Sequence, residues 1–460
     1  MYRTVSVKIK KGHKLYKYCV KMCTASAVLY NRANFFVRQY ATAVRDLEDG
    51  KPLKKNQEEV LLLIRRVTQG TKYEPKGKWL TYGQLDYILK TTEDVAYYGL
   101  PAQANQQILK RVMRDYKSFF EALKKYAQDP GSFTGRPGLP RYKRKGTAVT
   151  AVMTNQICRI KDGHYIRFPG TKVRLNFGTF RTGGKLKEVR IKPEQDGCRA
   201  EVVLEFADAE ATGKLMGMEP EEITALFRET KDLKYRIASI DPGVDNFCAV
   251  ANNFGAAPFL IKGGALKSAN RYYNKELAAL RSKAERCNGR KWTRRMGRLT
   301  DKRNRILKDL MHKASRKIAD WAAEHQVDAV IIGHNRFQKQ QIQTGHVNNQ
   351  NIVQIPQDVF AGMLRYKLKE AGIVLVEREE SYTSKADFLA GDVIPVYGEE
   401  KEEQLCFSGI RTKRGLYRHG DGTISNADIN GAGNILRKVF PNVTGWDRGI
   451  VDVPYVVRIA

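Results

Sequence analysis

The chain has 460 residues, 42% of them hydrophobic, which is enough to bury a sizeable core and suggests roughly two to four domains. It carries 81 Lys and Arg against 49 Asp and Glu, a formal net charge of +32 that is spread along the whole length and predicts a nucleic-acid partner. Seven scattered cysteines without a CxxC pair exclude a disulfide framework, and the lack of a long apolar run excludes a membrane span, so we expect a cytoplasmic protein.

The first half of the chain predicts one strand, then a group of helices, then several short strands. Residues 4–10 alternate between apolar and polar side chains, as in a strand with one basic face. Helical periodicity follows over residues 15–40, 58–66, 81–91 and 102–127. Short apolar runs separated by Gly and Asn/Asp turns then cover residues 148–206, which predicts a small antiparallel sheet or barrel that the first strand would complete.

A basic segment rich in Pro and Gly, residues 129–145, lies between the helices and the short strands. Rigid turns interleaved with cations and a tyrosine are suited to a loop that follows a phosphate backbone, although a solvated linker can have the same composition. The candidate contacts are Arg141, Tyr142, Lys143 and Arg144.

The second half of the chain predicts alternating strands and helices. Residues 219–232 are interpreted as a connector. An apolar run at 237–240 ends in Asp241, and the turn Asp241-Pro242-Gly243 leads to a returning strand at 247–250. The later elements are helices at 269–287 and 298–325, a strand at 327–332, a helix at 357–371, a strand at 373–376 and a helix at 429–439.

The helix at 298–325 is basic on all but one face. Its apolar stripe is predicted to contain Ile306, Leu310, Ala314, Ile318 and Trp321. A helix with so few acids favours docking on a nucleic-acid duplex. The candidate contacts in and just before this helix are Arg294, Arg295, Arg298, Lys302 and Arg303.

Acidic residues follow these elements in an order typical of an RNase H-like fold, in which acids from separate strands and a helix meet at one edge of the sheet. Asp241 ends the first strand, glutamates follow the strand at 373–376, and Asp428 precedes the last helix. Hydrolysis with two metal ions requires such convergence, because a shared carboxylate bridges the ions while one activates water and the other stabilises the leaving oxygen. We assign the bridging role to Asp241, which without its partners would be interpreted as an ordinary turn residue.

Three motifs make the identification more specific. Residues 239–246 (SIDPGVDN), 382–385 (YTSK) and 426–436 (NADINGAGNIL) resemble the RuvC blocks of the TnpB family, transposon-encoded RNA-guided DNA nucleases related to compact type V CRISPR effectors. The resemblance of motifs covers roughly the last half of the chain, and the first half is similar only in layout. The turn at Asp241 also resembles the first phosphate loop of actin-like ATPases, but those enzymes need a second duplicated lobe with another Asp-Gly loop, and the basic charge argues against them.

The resemblance implies a multidomain α+β fold: an RNase H-like (RuvC) α/β nuclease domain, and a helical recognition lobe inserted in a small β-barrel (wedge) domain. The expected segments are 1–12 (first barrel strand), 13–145 (recognition lobe), 146–232 (wedge barrel) and 233–460 (nuclease domain, with a basic insertion at 385–425). The implied activity is Mg²⁺-dependent DNA hydrolysis with two ions. A guide RNA (scaffold plus spacer) would recognise double-stranded target DNA beside a short motif and form an R-loop. The implied location is the prokaryotic cytoplasm. The origin of the guide, and whether one or two copies act per RNA, stay open.

The first departure from the family concerns its second-block glutamate, which usually follows the apolar strand directly. Here that strand is followed by Gly333-His334-Asn335, without an acid. A subset of relatives resembles this pattern and places the glutamate one strand later, just before Thr-Ser. This match implies Glu380 as the third ligand, with Glu379 second and Glu377 a further alternative. If these acids are only a solvated turn, the chain is a nuclease-inactive, RNA-guided DNA-binding regulator.

The second departure concerns the zinc ribbon that relatives commonly carry between Thr-Ser and the last Asp. This chain has only Cys406 there, so no zinc is expected. Residues 407–418 instead supply cations and aromatic rings, and we expect a metal-free loop that guides a single strand into the site by phosphate contacts and stacking. The candidate contacts are Phe407, Arg411, Lys413, Arg414 and Tyr417.

Overall fold

The structure, a computed structural model, describes residues 2–178, 184–206, 213–229, 235–289, 291–334, 354–396, 406–441 and 453–459. The chain divides into two units, Met1–Ala207 and Asp208–Ala460, each with its own hydrophobic core, and its folding class is mixed α/β. Among the described residues, no helix combines the length and the apolar character that crossing a membrane requires.

The first unit starts with a strand and continues with helices. Strand β1 is Tyr2–Lys10, and the helices are α1 (Tyr16–Glu48), α2 (Lys55–Thr68), α3 (Tyr82–Thr91), α4 (Val95–Tyr98) and α5 (Ala102–Gln128), followed by a 3₁₀ turn at Pro130–Ser132. Helix α1 buries Leu29, Tyr30 and Phe36 in the core of the unit. It extends to Glu48, eight residues beyond the predicted end, because the same face stays buried through Ala43 and Asp46.

Polar side chains on α1 hold the segment rich in Pro and Gly against the helix. Asn34 Nδ2 and Arg38 Nη2 donate to the carbonyl oxygen of Pro140 at 3.0 and 2.8 Å. Asn31 exchanges two hydrogen bonds with the backbone of Lys143, at 2.7 and 2.8 Å. This basic segment therefore follows α1 along a defined path.

The strands of the first unit are short and antiparallel. They are β2 (Ala151–Thr154), β3 (Arg159–Lys161), β4 (Tyr165–Arg167), β5 (Arg174–Asn176), β6 (Lys185–Glu194) and β7 (Gly197–Glu205). One sheet has the order β1-β7-β6-β2, and β3-β4-β5 form another. Strand β1 pairs with β7 over its whole length, so helices α1 to α5 are inserted between two paired strands. The described strands do not close into a barrel, since β1 and β2 are the edges of the larger sheet.

The second unit is built on a six-stranded sheet. Its strands are β8 (Ile237–Pro242), β9 (Asn246–Asn252), β10 (Phe259–Lys262), β11 (Ala329–Gly333), β12 (Val374–Arg378) and β16 (Tyr455–Val457). Their order across the sheet is β12-β11-β8-β9-β10-β16. Strands β8, β11 and β12 are parallel, whereas β9 runs antiparallel to both β8 and β10. The carboxyl ends of β8, β11 and β12 therefore lie at the same edge of the sheet.

Helices cover both faces of this sheet. They are α6 (Pro220–Glu229), α7 (Gly264–Asn288), α8 (Arg294–Glu324), α9 (Gln357–Glu370) and α10 (Ala427–Val439). Because side chains alternate along a strand, Ala238 and Ile240 share a core with α8 and α9, whereas Ile237 packs with α6 and α10. The predicted connector at 219–232 contains helix α6, and its residues beyond 229 lie outside the described part of the chain.

A small antiparallel sheet precedes the last helix. Strands β13 (Ile410–Lys413), β14 (Leu416–Arg418) and β15 (Ile424–Asn426) pair in that order, and β15 continues directly into α10. Asn426 caps α10, since its side chain accepts hydrogen bonds from the backbone N–H groups of Asp428 and Ile429 at 3.0 and 3.3 Å. The cap fixes the start of the helix and therefore the place of Asp428.

Candidate active site

Asp241 lies at the carboxyl end of β8 and faces helix α10. It shares a strand face with Ile237 and Ser239, and the Ser239 hydroxyl donates to the carbonyl oxygen of Ala432 on α10 at 2.6 Å. A Cβ atom added at Gly431 would lie 2.7 Å from Oδ2 of Asp241, closer than side chains approach. The glycine at position 431 therefore lets the helix approach the carboxylate and keeps space open around its oxygen.

Glu380 follows β12 and reaches the end of the neighbouring strand β11. Gly333, the last residue of β11, pairs with Arg378 in the parallel ladder. A Cβ atom at position 333 would lie 2.5 Å from Oε2 of Glu380 and 2.7 Å from Cδ1 of Ile435. The Glu380 carboxylate thus occupies the space that a side chain at position 333 would take. Position 333 has no acidic side chain, and the carboxylate of Glu380 occupies the space that one would fill. Asn335 lies outside the described residues.

The two neighbouring glutamates are engaged in other contacts. Glu379 accepts hydrogen bonds from the backbone N–H of Ser381 at 2.6 Å and from Nζ of Lys438 at 2.5 Å. Glu377 contacts Arg365 through one oxygen and lies 3.4 Å from Nδ1 of His334 through the other. After burial, the negative charge of Glu380 is the largest cause of the raised pKa of Asp241. The geometry therefore favours Glu380 as the partner of Asp241.

Asp428 lies in the first turn of α10, where a carboxylate interacts favourably with the helix dipole. Its Oδ2 accepts a hydrogen bond from Nδ2 of Asn246 at 2.6 Å, and its Oδ1 lies 3.3 Å from Nη2 of Arg411. Nζ of Lys262 donates to Oδ1 of Asn246 at 2.8 Å. Because Lys262 can only donate, it fixes the orientation of the Asn246 amide so that its NH₂ group points at Asp428.

Burial and the neighbouring carboxylates raise the proton affinity of Asp241. Burial, the negative charge of Glu380 and that of Asp428 raise the pKa of Asp241 well above its usual range, and Arg411 opposes the effect. Burial raises the pKa of Glu380 to about 7. Clustered carboxylates with raised pKa values are stabilised by a bound cation.

Most of the predicted cations of helix α8 are exposed. Arg294, Arg295, Arg298 and Lys302 are accessible, as nucleic-acid contact requires. Arg303 is different, because its Nε donates to Oδ1 of Asn270 at 2.8 Å and its Nη2 to the carbonyl oxygen of Gln354 at 2.6 Å. This half-buried side chain ties α8 to its neighbours, so it is less available to nucleic acid than the exposed cations, and its binding role stays a prediction. The predicted apolar stripe is confirmed at Leu310, Ala314, Ile318 and Trp321, which are buried. At its start Leu307 is buried in place of Ile306, which is 39% exposed.

In the basic segment of the first unit, Arg141, Tyr142 and Arg144 are exposed. Lys143 is half-buried, with its Nζ 4.1 Å from the centroid of the Tyr30 ring. This cation–π contact and the backbone bonds to α1 give Lys143 a structural role, so the other three are the accessible candidates.

The predicted strand-guiding loop lies beside the carboxylates. Arg411, Lys413 and Arg414 are exposed on β13 and the following turn, and Arg414 contacts Asp245. Phe407 is half-buried. Tyr417, in contrast, is 0% exposed, and its hydroxyl donates to the carbonyl oxygen of Lys385 at 2.7 Å. The stacking role predicted for Tyr417 is therefore wrong, because its ring belongs to the interior.

A buried polar network stabilises this loop in the region where relatives commonly carry a zinc ribbon. The Nδ1 atom of His419 lies 2.6 Å from Oδ1 of Asp387, and its Nε2 lies 2.7 Å from Oγ of Ser425. Oδ2 of Asp387 accepts from the backbone N–H of Gly420 at 2.7 Å. Burial alone would raise the pKa of Asp387, but the bonds from His419 and the backbone hold it below its usual range. Such a hydrogen-bonded network fixes the geometry of the loop.

Sequence reasoning missed several residues of the site. Asn246 and Gly431 stand within the recognised motifs, so a signal existed although no role was assigned to either. Lys262 gave no signal, because a lysine ending a short strand is common and only the paired strands bring it to Asn246. His419 and Asp387 are 32 residues apart and belong to no recognisable spacing.

Two family models match this part of the chain. Residues 218–337 match the OrfB_IS605 family, described as a probable transposase, and residues 358–435 match the Cas12f1-like TNB domain. The resemblance to TnpB proteins and compact type V effectors that the three motifs indicated is thereby confirmed.

Solved structures are similar at low identity. A Cas12f1–sgRNA–target DNA complex is 14% identical, over 92% of this chain and 82% of that chain, with a TM-score of 0.47. C2c1 of Alicyclobacillus acidoterrestris with single-guide RNA is 9% identical, over 96% and 88%, with a TM-score of 0.42. The mini-RNA-guided endonuclease CRISPR-Cas_phi3 is also 9% identical, over 96% and 93%, with a TM-score of 0.38. No curated protein matches the chain.

Proposed function

We propose that this chain is an RNA-guided DNA endonuclease of the TnpB type, which hydrolyses phosphodiester bonds in a single RuvC site. The observation that carries the proposal is the meeting of Asp241, Glu380 and Asp428 at one edge of the sheet, with Gly333 and Gly431 keeping space around their oxygens. The two family matches support it, because one contains Asp241 and the other contains Glu380 and Asp428.

The same three residues would hold two Mg²⁺ ions, with Asp241 shared between them. The donor set fits, since Mg²⁺ binds carboxylate oxygens, and a cation offsets both the burial and the neighbouring negative charges that raise the pKa of Asp241. Bound there, the ions would activate the attacking water and stabilise the leaving 3′ oxygen of the DNA.

The protein's own side chains prepare this chemistry. Asn246, itself oriented by Lys262, holds one oxygen of Asp428 and so determines which lone pairs of the carboxylate remain for a cation. Arg411 lies at the other oxygen and is 45% exposed in its side chain. A guanidinium in this place can transfer its hydrogen bonds from Asp428 to a DNA phosphate when the strand enters.

We assign the recognition lobe to residues 13–145 and the wedge to 1–12 and 146–207. The expected wedge boundary at 232 moves to 207, because helix α6 packs with Ile237 in the second unit, so the RuvC domain is assigned to 208–460. The guide RNA and double-stranded DNA are the proposed partners, in keeping with the net charge of +32 and the exposed cations of both units. The proposed nucleic-acid contacts are Arg141, Tyr142, Arg144, Arg294, Arg295, Arg298, Lys302, Phe407, Arg411, Lys413 and Arg414.

The second candidate function is a nuclease-inactive, RNA-guided DNA-binding regulator, which the glycine at position 333 favours. In a degraded site, position 333 would have lost its acid and no other carboxylate would occupy the same space. Here the Glu380 carboxylate lies 2.5 Å from where a Cβ of residue 333 would be, so the position is filled. This arrangement supports the endonuclease over the regulator.

The decisive experiment uses the ribonucleoprotein purified with its co-purifying RNA, which is sequenced to define the guide. A plasmid carrying the matched target and a randomised flanking motif is incubated with it in Mg²⁺. We expect cleavage by the unchanged chain, and target binding without cleavage by Asp241→Ala. Target binding without nicking by the unchanged chain would establish the regulator instead.

A further inference from the structure

Buried thiols are concentrated in the core of the first unit. All seven cysteines of the chain are free, and Cys19, Cys23, Cys158 and Cys198 are buried in this core. A free cysteine often serves in a core as a small hydrophobic residue, so burial by itself assigns no role. A direct contact between two of these thiols distinguishes them from that ordinary use.

Cys23 and Cys198 meet where helix α1 packs on the antiparallel sheet. Sγ of Cys23 lies 3.3 Å from the carbonyl oxygen of Ile191 on β6, and Ile191 pairs with Ala200 on β7. Two residues before Ala200, Cys198 pairs with Pro193 and points to the same face of the sheet. The side chains of Cys23 and Cys198 are hydrogen-bonded to each other and are 0% and 1% exposed.

The hydrogen bond makes the two thiols chemically unequal. It raises the pKa of Cys23, as does burial, whereas it lowers the pKa of Cys198 against the effect of burial. The thiolate is the nucleophilic form of cysteine, so Cys198 is the thiol that reacts first with an electrophile. Cys23 keeps its proton and stays in contact with the sulfur that has reacted.

Cys198 lies near the end of its strand, where the sheet opens most easily. Strand β7 starts at Gly197, just after the hairpin turn that contains the exposed Gln195. On the other side of β7, Cys198 pairs with Ile9, and β1 ends at the next residue, Lys10. Local opening costs less at such an end than in the middle of a sheet. A small peroxide can reach Cys198 during these openings, although the thiol is buried in the closed structure.

We propose that Cys23 and Cys198 form a reversible disulfide when the protein meets a hydroperoxide, and that this bond fastens helix α1 to strand β7. The Cys198 thiolate attacks one oxygen of the peroxide, the O–O bond breaks, and the other oxygen leaves and takes up a proton, as water in the case of hydrogen peroxide. The sulfenic acid on Cys198 is then attacked by the sulfur of Cys23. The S–S bond forms, the S–O bond breaks, and hydroxide leaves with the Cys23 proton as water. The two sulfurs give up two electrons, which the peroxide accepts.

The bond would fix more than one helix. Helix α1 holds the basic segment through Asn31, Asn34 and Arg38, which bond to the backbone of Lys143 and Pro140. A covalent link between α1 and β7 therefore also fixes the path of this segment relative to the sheet. The proposal concerns the first unit alone and does not depend on the proposed function.

The first test maps the bond in a full chain that carries Cys287→Ser and Cys406→Ser, since these two thiols are exposed. The reduced protein is treated with hydrogen peroxide, quenched in acid, alkylated and digested, and the peptides are identified by mass spectrometry. We expect a linked pair of peptides that contain Cys23 and Cys198 and that separate on treatment with dithiothreitol. Cys19→Ser is the matched control, because residue 19 lies one turn earlier on the buried face of α1, and this variant should still form the link.

The order of the two steps is tested in Cys23→Ser. Without its partner, the Cys198 sulfenic acid should accumulate and be trapped by dimedone, whereas Cys198→Ser should give no adduct at Cys23. Absence of the link in the folded chain, or a link from Cys198 to Cys19 in its place, would overturn the proposal. Trapping at Cys23 in Cys198→Ser would overturn the assignment of Cys198 as the thiol that reacts first.

The second test measures thermal unfolding before and after oxidation. A disulfide that closes a long loop typically stabilises a fold, so the oxidised chain should unfold at a temperature higher by about 4 °C or more. Cys23→Ser should show no such rise after the same treatment, which controls for oxidation of methionine. An equal or lower unfolding temperature of the linked chain would refute the fastening of α1 to the sheet.

Discussion

Replacing Gly333 by alanine tests whether Glu380 occupies the place of the missing acid. The new Cβ would lie 2.5 Å from Oε2 of Glu380, and ordinary contact begins at 3.4 Å, so the carboxylate must move by about 0.9 Å. Misplacement of a catalytic group by about 1 Å can lower a rate by about 100-fold. Overpacking against Ile435 at 2.7 Å should also destabilise the fold by about 1–3 kcal/mol.

The assay is single-turnover cleavage of the matched plasmid, together with the thermal unfolding of the same preparation. Gly362→Ala is the matched control, because position 362 lies in helix α9 and no atom lies within 4 Å of the added Cβ. We expect Gly362→Ala to cleave at the original rate and Gly333→Ala to lose about two orders of magnitude while still folded. A folded Gly333→Ala variant with the original rate would refute the placement of Glu380.

Three further predictions follow from the same contacts. Glu380→Ala should be inactive, and the double variant Glu380→Ala with Gly333→Asp should recover measurable cleavage. An aspartate oxygen lies about 2.4 Å from its own Cβ, close to the 2.5 Å between a Cβ at position 333 and Oε2 of Glu380. No recovery in the double variant would contradict this geometry. Asn246→Ala should raise the Mg²⁺ concentration for half-maximal cleavage by about ten-fold or more, and an unchanged Mg²⁺ titration would exclude the positioning role. Without metal, the folded Glu380 keeps its proton up to about pH 7, whereas the unfolded chain releases it near 4.5, so stability should fall as pH rises through this window. Glu380→Gln should flatten that slope in thermal unfolding, and an equal slope in both proteins would refute it.

The sequence predicts Asp241 and Asp428 well because each is attached to a regular element. Asp241 ends a strand whose apolar run is unmistakable, and Asp428 starts a helix with an asparagine cap. Glu380 could not be chosen from periodicity. Strand β12 ends at Arg378, so the alternation of faces that groups Glu377 with Glu379 no longer applies at Glu380. The motif match points to Glu380, and in the structure its close approach to Gly333 distinguishes it from Glu379.

Composition also fails to separate buried from exposed members of a basic or aromatic run. Tyr417 and Phe407 occur in the same loop, yet one is 0% exposed and the other lines a cavity. Strands β13 to β15 have three or four residues each, too few for a periodic signal, and their pairing is what buries Tyr417. Arg303 is engaged by Asn270 and Gln354, contacts that no local pattern reveals.

The most direct measurement compares the cleavage rates of Glu380→Gln and Glu379→Gln in ribonucleoproteins that carry the same guide. Each variant removes one negative charge with almost no change in volume, so the comparison shows which of the two carboxylates cleavage requires. We expect Glu380→Gln to bind the target without cutting it. Glu379→Gln should lose its bond to Lys438 and some stability but still cleave. Cleavage by Glu380→Gln at the original rate, with inactivity of Glu379→Gln, would contradict the assignment of Glu380 to the active site.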